Sequence, residues 1–308
     1  MKKIISVISI ILSLSLLTSC DTSTSNNKIK VVTTIFPIYD MVRYIGEDLI
    51  ETSLMVAPGQ DIHSYDPSAN DIIEAKTCDV LLYIGDYMET WIPDITQDIN
   101  MDRIVVALSE DEEIKLESLE HHEEHQHEHV HDHDVDMHIW TNPYYAILMV
   151  EQIQEALCEV DPLNEKTYVA NAARYINELK NIIEEIEIIL ENAKRKTLYF
   201  GSPFAFYYFT REFGLEHFSI YDTCSIEIEP TIDKIIQMNT ELKNNDVPVL
   251  YTKELLNDSI AKKVIEDTNA KICLLHSGHN VSIDDFQKGI TFLDIWKNNI
   301  EALKRGLL

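Results

Sequence analysis

The sequence predicts an α/β protein of two lobes with mostly parallel sheets, joined by one long spine helix, with the ligand site in the cleft between the lobes. Three observations lead there. Short β-branched runs alternate with helical patterns between Ile29 and Ala107. The same alternation returns between Thr197 and Leu275. The stretch separating the two series, Leu163 to Lys196, contains neither Gly nor Pro.

In the first series, Ile29–Ile35, Leu54–Val56, Val80–Ile84 and Ile104–Ala107 read as buried strands, with helices starting near Pro37 and Pro67. Strand–helix–strand alternation builds βαβ units and therefore a Rossmann-like parallel sheet. Thr197–Phe200, Phe218–Tyr221, Val249–Tyr251 and Ile272–Leu275 repeat the pattern. Between them Tyr168, Ala172, Tyr175, Leu179, Ile182, Ile186 and Ile189 keep a spacing of three to four, which predicts one helix over 163–196, roughly 50 Å long. These readings divide the chain into an N-terminal lobe over 29–160, a linking helix over 163–196 and a C-terminal lobe over 197–308.

The start of the chain is a separate matter. Lys2 and Lys3 precede the almost wholly apolar stretch Ile4 to Leu17, too short for the roughly 20 helical residues a bilayer requires but suited to a signal-peptide core. It ends in Leu17-Thr18-Ser19-Cys20, which resembles the lipobox of bacterial lipoproteins. Residues 1–19 are thus expected to be a signal peptide, Cys20 the lipidated residue, and 20–28 a Ser/Thr/Asn-rich tether. Removing the leader leaves about 288 residues, enough for two cores. The net charge of −28 argues against nucleic acid and against docking on anionic lipid, and suits a cation as partner. Cys78, Cys158, Cys224 and Cys273 do not have the spacing of a small disulfide scaffold.

Residues 110–136 differ from the rest. They hold twelve carboxylates, one lysine and seven histidines (His121, His122, His125, His127, His129, His131 and His133) with no apolar period, which predicts a mobile loop. Imidazole is the commonest metal ligand, so such a tract can gather transition metals, weakly and with fast exchange. Within it, His127-Glu128-His129-Val130-His131 satisfies HExxH, the zinc-protease pattern. That motif needs a buried helix face, which is lacking here, and a tract of His and Glu matches it by chance.

Three histidines outside the tract carry more information. His63 lies in the loop Ala57–Ser68 between a strand and a helix, His138 lies just before Asn142, a candidate helix cap, and His276 directly follows the strand Ile272–Leu275. All three fall at or beyond the carboxyl ends of strands, where open α/β sheets place their ligands.

The stretches PGQDIHSYDPS (Pro58–Ser68), DMHIWTNP (Asp136–Pro143), AFYYFTREFGL (Ala205–Leu215) and WKNNIEALKRGL (Trp296–Leu307) resemble the zinc- and manganese-binding solute-binding lipoproteins of ABC importers. The resemblance covers essentially the whole mature chain. It implies two α/β lobes on one long helix, with a metal held between them by two ligands from each. His63 and His138 fall on the family's first two ligands and His276 on the fourth. The third falls on Pro203, which cannot bind metal. Asp222, Cys224, Glu227, Glu229 and His279 are candidates to fill that gap, with Glu227 chosen. Imidazoles with at most one carboxylate favour zinc, with manganese second. The resemblance further implies a protein without enzymatic activity, monomeric, anchored by lipid at the outer face of the cell membrane, and partnered by an ABC permease and its cytoplasmic ATPase. A secreted zinc hydrolase and a manganese-binding or adhesin-type protein of the same family are the alternatives. A histidine site also implies metal affinity falling below about pH 6.

Overall fold

The computed structural model describes residues 28–97, 103–117, 135–221 and 229–308. The leader with Cys20, the seven histidines of the acidic tract, and Asp222, Cys224 and Glu227 lie outside the described residues.

The N-terminal half runs β1 (Ile29–Thr33), α1 (Phe36–Gly46), β2 (Ile50–Leu54), α2 (Ala69–Thr77), β3 (Val80–Tyr83), α3 (Ile92–Thr96) and β4 (Ile104–Ala107). Helices α4 (Pro143–Val160) and α5 (Glu165–Glu191) follow. The C-terminal half runs β5 (Thr197–Phe200), α6 (Tyr207–Glu212), β6 (Glu216–Ser219), α7 (Ile232–Asn244), β7 (Val249–Thr252), α8 (Ser259–Val264), β8 (Lys271–Leu274), α9 (Ile283–Gln287) and α10 (Phe292–Leu307). Each half holds a four-stranded sheet, β2-β1-β3-β4 and β6-β5-β7-β8, parallel throughout. In both, the chain steps to one side of the first strand and then returns to the other, so the loops at the strands' carboxyl ends part over a crevice.

The edge strands depart from the sequence reading, and for one reason. β2 begins at Ile50 rather than Leu54, and β6 at Glu216 rather than Phe218. Glu51, Thr52 and Ser53, and likewise Glu216 and His217, lie on sheet edges where polar residues are tolerated, so no apolar run marks them. Met55 and Val56 extend β2 only through their N–H groups, which donate to the Thr33 and Thr34 carbonyls.

Helix α5 is the spine, and its buried face includes Tyr168, Ala172, Tyr175, Leu179, Ile182, Ile186 and Ile189. It ends at Glu191, about 40 Å from its start, rather than at Lys196. Asn192 N–H closes on the Ile189 and Leu190 carbonyls, and Lys194 N–H turns away to the Leu307 carbonyl at 2.8 Å. One continuous core joins both halves to this helix. Val31 and Leu82 reach it from the first sheet, and Leu198, Phe200, Val249 and Tyr251 from the second. The alternate strand residues, such as Val32 and Leu81 or Tyr199 and Leu250, face separate outer cores, as period-two strands require.

Asp40 binds three of these helices together. From α1 its Oδ2 accepts the Tyr175 hydroxyl of α5 (3.3 Å) and the Phe292 N–H that opens α10 (3.0 Å). Burial pushes its carboxyl up to about 6 against these hydrogen bonds. No helix among the described residues is long and apolar enough to cross a membrane.

Candidate metal centre

Three loops converge on the crevice, and each places one histidine there. The chain leaving β2 reaches Asp61, whose Oδ1 accepts the His63 N–H (3.1 Å) and starts a 3₁₀ turn over Ile62–Ser64. Beyond β4, Asp136 Oδ1 accepts the His138 N–H (2.8 Å), and a 3₁₀ turn over Ile139–Thr141 leads to Asn142, whose side chain caps α4 at the Tyr144 N–H. Beyond β8, Ser277 Oγ accepts the His279 N–H (3.3 Å). The same local device therefore recurs three times: an oxygen-bearing side chain two residues ahead of the histidine ties down its backbone.

One nitrogen from each of His63, His138 and His279 lies within 4.8 Å of the other two. Ring centroids are separated by 5.1 Å (His63–His279), 5.5 Å (His138–His279) and 5.7 Å (His63–His138). Trp140 lines the two buried rings, stacked on His279 at 5.7 Å and tilted against His138 at 5.2 Å. Its Nε1–H donates to the Ser277 carbonyl (2.8 Å), tying the His138 segment to the His279 turn. Asn280, next in line, donates through Nδ2 to the Ala57 and Gln60 carbonyls of the His63 loop (2.8 and 2.7 Å), and Gly59 N–H donates to the Val281 carbonyl.

The donor set fits a metal cation. His138 Nδ1 faces Asp136 Oδ1 at 2.9 Å; with that carboxylate ionised, Nδ1 carries the hydrogen and Nε2 keeps a free lone pair. His138 Nε2 and His279 Nε2 are both buried without a hydrogen-bond partner, a costly state that a cation at the centre relieves. Zinc sits about 2.0–2.1 Å from imidazole nitrogen, which places tetrahedral donors about 3.4 Å apart, so small ring movements close the site.

Electrostatics keep the His63 and His279 rings neutral. His63 is pushed down to about 4, first by burial of the imidazole among its neighbours and then by the adjacent His138. The residue as a whole is nevertheless the solvent-facing member of the group. His279 is held well below the ordinary histidine value, by burial first and then by the charge of Lys253. Burial would raise Asp136, but its charge interaction and hydrogen bonds with His138 outweigh that and hold it low.

His276 and Glu227 were the residues expected from the C-terminal half, and for His276 the structure differs. It is not in the group: its Nδ1 accepts the Gly278 N–H (3.0 Å), its N–H donates to Asn299 Oδ1, and its carbonyl accepts from Asn299 Nδ2. His279 occupies the place instead, because Gly278 turns the chain at φ +76°. A side chain at Gly278 would meet the Phe292 ring at 2.7 Å. The sequence signal was present but subtle: His279 follows an oxygen-bearing residue at i−2, as His63 and His138 do, whereas His276 follows Leu274. Glu229 is exposed and outside the group, Pro203 is buried, and Glu227 lies outside the described residues.

Residues 31–306 match the family described as zinc-uptake complex component A, periplasmic. The chain is 30% identical over 284 residues to the high-affinity zinc uptake system protein ZnuA of Bacillus subtilis (strain 168), covering 92% of this chain and 88% of that protein. It is 26% identical over 307 residues to the zinc-binding lipoprotein AdcA of Streptococcus pneumoniae, and spans 99% of its own length but 61% of that relative's. Among solved structures it resembles the metal-dependent lipoprotein YcdH from Bacillus subtilis, with a TM-score of 0.78 and 26% identity over 91% of this chain and 100% of that one.

Proposed function

The chain belongs to the zinc-uptake complex component A family, and from that premise we propose that it is an extracytoplasmic, lipid-anchored protein that captures zinc and delivers it to an ABC importer, with no chemistry of its own. His63, His138 and His279 are the ligands from the described residues. The observation that carries this reading is the pair of buried, unpartnered Nε2 atoms on His138 and His279, brought within 4.8 Å of a nitrogen of His63.

Three neutral imidazoles form a borderline-soft nitrogen set that suits zinc better than manganese, which prefers oxygen donors. His63, the exposed ligand, receives the ion from solvent, and His138 and His279 complete the shell behind it. Cys20 supplies the anchor, and a permease with its cytoplasmic ATPase takes the ion onward. The relatives compared are named as uptake and binding proteins, which supports transport over the hydrolytic alternative.

Zinc titration against a competing chelator tests the assignment. His138→Ala and His279→Ala should each weaken the tightest site by about 100-fold or more, while His276→Ala stays close to the parent. Parental affinity in His138→Ala would remove the cleft site altogether.

A further inference from the structure

We infer that Glu254 is a positioning residue for zinc capture: it holds Ser277, and through Ser277 it sets the turn that presents His279. This rests on the reading of His279 as a ligand.

Glu254 comes two residues after β7 and is 7% exposed. Its carboxylate grips Ser277 with both oxygens, Oε2 accepting the backbone N–H (2.8 Å) and Oε1 the hydroxyl (2.5 Å). With its hydrogen given to Glu254, Ser277 Oγ is left as an acceptor, and it accepts the His279 N–H. The Ser277 carbonyl accepts Trp140 Nε1–H, and Trp140 stacks on the His279 ring. Ser277 is thus the point where three constraints on His279 meet, and Glu254 sets its orientation.

The alternative is that Glu254 merely stabilises the turn. Other groups already serve that purpose: Asn299 holds His276 through two hydrogen bonds, and Gly278 N–H closes on His276 Nδ1. A buried carboxylate is an expensive way to add stability, since apolar packing of similar volume often does as well. What a carboxylate provides here is two fixed acceptors, which give direction to a serine N–H and O–H at once. At metal centres, such outer partners commonly change affinity by about 10–100-fold.

The experiment is a double-mutant cycle on the full chain, read by zinc competition with a chelator and by the visible absorption of the cobalt(II) form. Glu254→Gln turns one acceptor into a donor facing Ser277, and should weaken zinc binding by about 10–100-fold and alter the cobalt bands. In the His279→Ala background the same change should add less than about twofold, because its route to the metal is gone. Ser277→Ala should show the same dependence on His279 and carries the test if Glu254→Gln fails to fold. Parental affinity in Glu254→Gln, or an equal loss with and without His279, overturns the proposal. Parental affinity in His279→Ala overturns the ligand assignment itself, and with it this inference.

Discussion

Among the described residues, the N-terminal half reaches the centre twice, with His63 after β2 and His138 beyond β4; the C-terminal half, built on the same strand order, reaches it once, with His279 after β8. Their support differs as well. His138 is oriented from within its own loop, through Asp136 two residues earlier. His279 depends on Ser277, which depends in turn on Glu254, 23 residues away in sequence. A shared topology therefore fixes where ligands can stand but not how many arrive or how each is held. Those details belong to local turns.

The largest effect that would break this comparison is loss of a ligand. If the halves contribute as described, His138→Ala and His279→Ala each cost about 100-fold or more in zinc affinity, and His276→Ala stays within about threefold. A His276→Ala protein as impaired as His279→Ala would return the C-terminal ligand to the residue directly after the strand. Next comes orientation. Asp136→Asn should lower affinity by about 10–100-fold, since the amide can no longer hold the Nδ1 hydrogen as a carboxylate does. An unchanged chelator titration would show that His138 needs no local partner.

Acidity sharpens the comparison further. Protons compete with zinc for imidazole, so affinity falls as pH drops through the ligands' own pKa values. With His63 pushed down to about 4 and His279 held well below the ordinary value, the share of that fall due to these two rings is displaced below the pH 6 expected of unperturbed histidine. Between pH 7.5 and 6 the affinity should change by less than about tenfold and then drop steeply below about 5. A tenfold loss already at pH 6.5 would mean that the rings titrate as if in water.

The last comparison lies outside the centre and concerns Asp40, which joins the two halves. Its folded pKa of about 6 lies above the ordinary carboxylate value, so the native state binds the proton more tightly than the unfolded chain. Stability from this group is therefore present at low pH and lost as pH rises from about 4 to about 6. Asp40→Asn should gain about 1–3 kcal/mol relative to the parent at pH 7.5 and nothing near pH 4. Denaturant melts at the two values decide it, and an equal difference at both would remove the protonation account.

Much of the architecture was legible because its signals are long or repeated. The period along Tyr168 to Ile189 spans seven positions, and the inner strand β3 is an uninterrupted apolar run. The edges were less legible, since β2 and β6 carry polar residues that a solvent-facing strand tolerates. At the centre, His63 and His138 stand in motifs that mark their loops, and the structure sets them side by side. In the sequence His279 stands only as one candidate beyond His276, because adjacency to a strand is a strong cue and the glycine that adopts φ +76° is a weak one. Pro203 marks the family's third position without saying what replaces it.

Asn280 has a consequence for how the ion is taken up. Its amide ties the His279 turn to two carbonyls in the His63 loop, so on the proposed ligand set His63 and His279 are already gathered before zinc arrives. The entropy of bringing those loops together is lost during folding rather than during capture. Calorimetry should therefore find zinc uptake with a small heat-capacity change, the signature of an ion entering a frame that hardly moves around it.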